Sequence, residues 1–357
     1  MRSGSDNFQF HLAMYAGRLG FSRGKVVHLS SAPINSKDLA SKSMRIFFWI
    51  ANETPGSMVI IDNVLPHLRN EVIRLGLNWE FDRGSELPIQ EVDWLICFKA
   101  TPDLSQVAGS PRRVLLICDQ AEVLWGDVPM FHEVVATSSI QFASLLAWNS
   151  GTTYFISESE PKSHLDFGQE VLERHAGTKS EVLLWHGGTH SLKSLFELKP
   201  VLIKWAETHR ACLHIVCGRN KPKYERWGKL EVSYFPWSEN QLKASASMAR
   251  LAIIPAISRL KHSWLKPPSR VRCCYALGVP AIGDRRVPSV VSFCRPFGGP
   301  MASGSKDWFF ELRRLWADST ERNRVALAGH REVRANHSTD LTARKWIRYL
   351  AKKTSAE

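Results

Sequence analysis

The stretch HSWLKPPSRVRCCYALGVPAIGD, residues 262–284, is where the fold can be read. Pro267 and Pro268 cannot stand inside a helix but suit its entrance, where a missing N–H leaves no bond unmade. Gly278 supplies the left-handed stop. Val271, Cys274, Tyr275 and Leu277 form an apolar stripe between them, and VPAIGD reads as a short buried strand. With LAIIPA (251–256) before it, the segment is a strand–loop–helix–strand unit. Its cations, Lys261, Lys266, Arg270 and Arg272, crowd the helix entrance, where free N–H groups and the helix dipole already favour an anion.

Working outward, five apolar runs alternate with helical segments: EVLLWHGGT (181–189), CLHIVCG (212–218), LEVSYFPW (230–237), LAIIPA and VPAIGD. This is the pattern of an α/β domain with a parallel sheet. Upstream, MRIFFWIANE (44–53), NWEFD, EVDWLICFK, RRVLLICD, EVVATS and TTYFISE make a second such series. DNVLPHLRNEVIRLG is read as a helix broken at Pro66, and SIQFASLLAW as another helix. The polar segment 157–180 reads as a linker holding one helix at 167–175. RNKPKYERWGK (219–229) reads as a basic loop. Residues 305–350 are mostly helical and end in the amphipathic DLTARKWIRYLAKK. The expected organisation is an N-terminal extension (1–43) outside the core, with translation starting at Met44. Domains at 44–165 and 176–335 follow, and a terminal segment, 336–357, packs back on the first domain.

Bulk properties narrow the function. The chain has 357 residues, 44% hydrophobic and 23% charged, which is ordinary for a globular protein. It shows no apolar run of membrane-span length and no secretory leader, so the cytoplasm is the expected location. Seven cysteines, an odd number without a CxxC pair, are expected to be buried reduced thiols. Residues 1–175 hold 15 Lys+Arg against 20 Asp+Glu, whereas 176–357 hold 32 against 14. The basic half should attract an anionic partner: a nucleotide, a nucleic acid or an acidic membrane surface.

Common signatures are missing: no GxxxxGK[ST], HExxH, GxSxG or strand-borne GxGxxG, no DxD triplet, and no His beside Cys or carboxylates at metal-ligand spacing. What remains are strand ends in the basic half. Gly187, Gly188 and Thr189 lie between a strand and a helix, where glycine lets backbone approach a ligand. Arg219 directly follows a strand. Lys266, Ser269 and Arg270 follow another, on the edge where open α/β sheets bind ligands. Trp237 ends a strand just before an expected N-cap, Ser238, and is a candidate wall for a nucleobase.

The order of these elements over 181–288, from EVLLWHGGTHSLKSLFEL through LHIVCGR and YFPWS to LKPPSRVRCCYALGVPAIGD, resembles the C-terminal domain of GT-B glycosyltransferases. The likeness is to the large group 1 (GT4-like) family with many bacterial cell-surface polysaccharide enzymes. It implies two Rossmann-like domains, with parallel sheets facing a central crevice. A nucleotide-sugar donor would sit on the C-terminal domain, and a glycan or lipid-linked acceptor on the N-terminal one. The chemistry implied is hexosyl transfer to a hydroxyl, in surface polysaccharide or glycolipid synthesis, with the nucleotide-sugar as co-substrate and no cofactor.

Many members carry two glutamates seven residues apart in this region, where this chain has cations and apolar residues. A Lys/Ser/Arg version of the site, with Arg219, Lys266 and Arg270 in place of a metal, is therefore expected. If configuration is inverted, the catalytic base would come from Asp119, Glu122 or Glu53 at N-terminal strand ends. The cations of the last helix would allow peripheral contact with an anionic membrane. Rival readings are a non-catalytic GT-B-like binding protein and a nucleic-acid binder; the latter is motivated by pI 9.5 but lacks any recognition motif.

Overall fold

The computed structural model describes residues 39, 42–53, 58–118, 126–148, 152–175, 181–256 and 265–354. They form two compact units. The first comprises the chain up to Ser159 together with Leu265–Pro267 and Thr339 onward; the second comprises Glu160–Trp264 and Pro268–Ser338.

In the first unit β1 (Met44–Ile50) leads through a π-turn to α1 (Leu65–Leu75), followed by β2 (Trp79–Gly84), β3 (Trp94–Phe98), β4 (Arg112–Ile117), β5 (Glu133–Ala136), α2 (Ser139–Trp148) and β6 (Thr152–Phe155). The sheet order is β2-β1-β3-β4-β5-β6, and every pairing is parallel. A parallel sheet is covered on both faces, which is why WLICF of β3 is apolar and buried at every position. Pro66 starts α1 rather than breaking it, because it occupies the first turn. Leu39, expected to lie outside the core, is 2% exposed within it, and Lys42 Nζ donates to the Thr354 carbonyl. Met44 opens β1, and residues 1–38, 40 and 41 of the N-terminal extension lie outside the described residues.

The second unit contains α3 (Lys162–His175), β7 (Val182–Gly187), α4 (Leu192–Ala206), β8 (Cys212–Cys217), β9 (Lys223–Trp227), β10 (Leu230–Pro236), α5 (Glu239–Met248), β11 (Ala249–Ile254), α6 (Ser269–Ala276), β12 (Ala281–Asp284), α7 (Pro288–Cys294), β13 (Met301–Ala302), α8 (Gly304–Ala317) and α9 (Ser319–Asn336). Its sheet runs β13-β12-β11-β7-β8-β10-β9, parallel except for the β9–β10 hairpin. Seven strands thus replace the five expected. β9 lies in the supposed basic loop, and β13 has only two residues. The segment read as a linker holds the expected helix, which starts earlier, at Lys162, and packs on α6 and α9.

Strands after β7 extend the sheet one way through β8 and β10. From β11 they extend it the other way, which makes the β7/β11 boundary the point of topological reversal. The last helix, α10 (Thr339–Thr354), belongs to the first unit and packs on α1. No helix among the described residues is long and apolar enough to cross a membrane. All seven cysteines are free thiols.

Candidate functional site

The reversal point of the second sheet gathers the strongest chemistry. β7 is buried through His186 and ends in two glycines whose missing side chains make room for specific neighbours. A Cβ on Gly187 would stand 3.0 Å from Arg270 Nη1 and 3.2 Å from the Trp185 ring; one on Gly188 would meet the His190 ring at 2.7 Å. The glycines therefore admit side chains of the site itself. Thr189–Ser191 then form one 3-10 turn leading into α4.

Arg270 sits in the first turn of α6, and Ser269 opens that helix behind Pro268 at the N-cap. Its guanidinium lies 5.8 Å from the centre of the Trp185 ring and places Nη2 3.5 Å from the Pro255 carbonyl at the end of β11. The buried Nη1 has no hydrogen-bond partner among the described residues. Burial lowers the Arg270 pKa to about 10, so the group remains a cation at neutral pH. A desolvated cation with an unused donor is costly unless something anionic completes it. His186 Nε2 donates to the Arg270 carbonyl at 3.1 Å. Burial, then the nearby Arg270 charge, pushes this imidazole down to about 4, so it is neutral.

Pro255, whose carbonyl Arg270 reaches, also lines a recess of about 460 Å³ together with Lys193, Glu197, Ala256, Arg286 and Trp308. Its fixed element is a clamp at the end of β12. Asp284, 1% exposed, accepts the Ala256 N–H at 2.9 Å, the Arg286 N–H at 3.0 Å, and Arg286 Nε and Nη2 at 2.9 and 2.6 Å. Arg286 Nη2 also reaches the Ala256 carbonyl at 3.1 Å. The bonds to Asp284 raise the Arg286 pKa, so its charge is permanent and its plane is held. Lys193, Asp284 and Arg286 were not among the expected site residues. The signal was IGDRR, two arginines directly after a strand.

Arg219 and Trp237 meet through backbone: both N–H groups donate to the Cys217 carbonyl, at 2.7 and 2.8 Å. The Arg219 guanidinium lies 5.1 Å from the centre of the Tyr234 ring. With Thr189, Lys221 and Lys223 it lines a second recess of about 590 Å³. Trp237 is 39% exposed beside Ser238, which caps α5 as expected by accepting the Gln241 N–H.

Lys266 is placed differently from its expected companions. Its neighbour Leu265 is buried in the first unit's core and accepts a bond from Ser138 Oγ at 2.9 Å, so Lys266 clusters with that unit. Glu53 stands just beyond β1, exposed and paired with Arg83 at 3.1 Å. Asp119 and Glu122 lie outside the described residues.

The expectation that no histidine joins cysteine and carboxylate needs correction. Glu160, His164 and Cys273 bring their ligand atoms within 4.8 Å of one another. Glu160 and His164 stand four residues apart, and the fold brings in Cys273, 109 positions after His164.

No family model matches the chain, and no curated protein matches it in sequence. Solved structures do match in fold, and the architecture is that of the GT-B glycosyltransferases. Anabaena HepE, solved in complex with UDP and glucose, is 10% identical over 87% of this chain and 100% of its own, with a TM-score of 0.59. A glycosyltransferase from Rickettsia africae is 11% identical over 87% of this chain and 98% of its own, with a TM-score of 0.62. The sucrose-phosphate synthase of Thermosynechococcus elongatus is 11% identical, covers 99% of this chain and 94% of its own, and has a TM-score of 0.56.

Proposed function

We propose that the protein is a glycosyltransferase that takes a sugar from a nucleoside-diphosphate donor bound at the β7/β11 edge of the second unit. The observation that carries this reading is Arg270, a desolvated cation at the reversal point with a donor unpaired among the described residues, which reaches the Pro255 carbonyl at the wall of a recess lined by Lys193 and the clamped Arg286. Ligands of open α/β sheets bind at that point. Rupture of the anomeric C–O bond leaves growing negative charge on the departing diphosphate. Preplaced cations and helix N–H groups oppose charge that exists mainly in the transition state, so they lower the barrier itself. The UDP and UDP-glucose complexes of HepE support a nucleotide donor.

Transfer is proposed to run without a divalent metal on the diphosphate. Both Asp284 oxygens are already engaged by Ala256 and Arg286, and the cations supply the charge a metal would bring. Arg219 and Trp237 are assigned to the nucleoside end. The acceptor, a hydroxyl-bearing glycan or lipid-linked glycan of a bacterial surface pathway, is assigned to the first unit.

The test is a thermal-shift screen with nucleoside diphosphates and nucleotide-sugars, followed by assay of donor hydrolysis. A ligand at ~100 times its dissociation constant stabilises its fold by about 2.7 kcal/mol. Stabilisation with turnover supports the reading, and added Mg²⁺ should not raise the rate. Stabilisation without hydrolysis or transfer would make the protein a binder, and no response to any nucleotide would overturn the donor site.

A further inference from the structure

Glu160, His164 and Cys273 form a cluster separate from both recesses, and all three residues belong to the second unit. Glu160 precedes α3, its side chain is 4% exposed, and its Oε2 stands 3.2 Å from His164 Nδ1. Cys273, one turn beyond Arg270 on α6, puts Sγ 4.0 Å from the same nitrogen. Around a tetrahedral zinc with bonds of roughly 2.0–2.3 Å, neighbouring ligand atoms lie about 3.3–3.7 Å apart. The two separations from Nδ1 bracket that range, and all three ligand atoms lie within 4.8 Å of one another, so side-chain adjustments bring them together.

We propose that Glu160, His164 and Cys273 bind one zinc ion, with a solvent molecule as the fourth ligand. Imidazole, thiolate and carboxylate together suit a borderline-soft ion rather than Mg²⁺ or Ca²⁺.

The surroundings already orient two of the ligands, whereas burial keeps the third, the Cys273 thiol, protonated until an ion displaces its proton. Glu160 Oε1 accepts Arg272 Nε at 3.0 Å, and Arg272 is 1% exposed, so one carboxylate oxygen is held in place and Oε2 is left to the ion. Metal on Nδ1 of His164 requires the proton on Nε2, and Nε2 faces Glu239 Oε1 at 3.7 Å. That carboxylate is anchored in turn by Lys243 at 2.6 Å and by Ser163 Oγ at 3.3 Å. A carboxylate behind the imidazole is the common outer support of zinc-bound histidine. Binding exchanges waters of the ion for the three side chains, and the Cys273 thiol gives its proton to solvent. No redox step is involved. The ion ties α3 to α6 one turn away from Arg270, a structural role consistent with metal-free chemistry at the diphosphate.

The experiment uses the untagged full-length chain, purified without chelator. Zinc content is measured first, and the ion is then replaced by Co²⁺. Near one zinc per chain and a sulfur-to-cobalt charge-transfer band are expected. Cys273→Ala should abolish the band while leaving the far-UV circular dichroism unchanged. Glu239→Gln should weaken metal affinity ~10–100-fold through the lost support of His164. Absence of both stoichiometric zinc and the band, or a band that survives Cys273→Ala, overturns the proposal. Should Cys273→Ala fail to fold, the Glu239→Gln titration decides in its place: unchanged affinity overturns the site.

Discussion

Arg270 is held at a cost to the fold, and that cost yields a sharp prediction. Its charge is desolvated and its Nη1 unpaired, so replacing it with an apolar chain of similar length removes two unfavourable features at once. Arg270→Met should therefore keep or raise the melting temperature while turnover falls ~100-fold or more, the usual consequence of losing a transition-state donor. Parallel measurement of unfolding and rate checks it, and a fall in both would make Arg270 a structural residue. His186, behind it, predicts a pH effect. Its folded pKa of about 4 lies below the ordinary value of 6.5, so the unfolded chain takes up a proton the folded one refuses. The stability His186 contributes is complete above about pH 6.5 and is lost as pH falls toward 4, with about 2 kcal/mol gone between pH 7 and 5. His214 and His330 are shifted the same way by burial, so wild type alone cannot isolate this share. His186→Asn keeps a donor for the Arg270 carbonyl, and its denaturant midpoint should fall less between those pH values.

At the scale of elements, α6 is seated by glycines on two neighbours. A Cβ on Gly168 of α3 would lie 2.0 Å from the Ala276 carbonyl oxygen, and one on Gly329 of α9 would lie 2.2 Å from the Tyr275 ring. Gly278, at φ +76°, ends the helix in the left-handed region and touches the Gly168 backbone. Gly168→Ala must push two backbones apart, so it should cost more than the ~1–3 kcal/mol of ordinary overpacking. Gly126→Ala, with nothing within 4 Å of the new carbon, is the matched control. Equal melting temperatures for the two variants would refute the close seating. This seating was partly legible in the sequence. Gly278 and the prolines marked both ends of α6, and β7, β8, β10, β11 and β12 showed as apolar runs because parallel strands are buried on both faces. β9 did not show, since KYERW has no apolar alternation and gains its order from the hairpin. There Glu225 accepts Trp227 Nε1 at 2.6 Å and the Tyr234 hydroxyl at 2.7 Å. The first turn of α3 reads as linker because the helix's burial rests on few apolar positions, Leu165 and Val171 chief among them. The Asp284–Arg286 and Glu160–His164 pairs are close in sequence, but Ala256 and Cys273 join them only through packing, which spacing along the chain cannot reveal.

At the scale of the whole molecule, the charge division of the chain does not coincide with its structural units. Residues 176–357 carry the basic excess, yet α10, with Arg344, Lys345, Arg348 and Lys352, belongs to the first unit. α10 is also part of that unit's core. Trp346 packs edge-on to Phe48 at 5.8 Å, and Tyr349 stands between Trp94 at 5.8 Å and Tyr154 at 4.6 Å. The Tyr349 hydroxyl donates to Glu133 Oε2 at 2.7 Å, and Glu133, fully buried, is also held by Arg112 at 2.6 Å. Ending the chain at Ser338 would remove these aromatic rings along with Ile347 and Leu350, and would strip one partner from a buried carboxylate. Each aromatic buries ~150–250 Å², worth about 25 cal/mol per Å². With the two aliphatic chains, the loss exceeds about 10 kcal/mol, comparable to the whole stability of a domain. The second unit keeps its own core clusters, which contain no residue of α10. A 1–338 chain should therefore lose the melting transition of the first unit and keep that of the second, including its response to nucleotide. Calorimetry with and without nucleotide tests this directly; an unchanged two-transition profile would mean that α10 only decorates the surface.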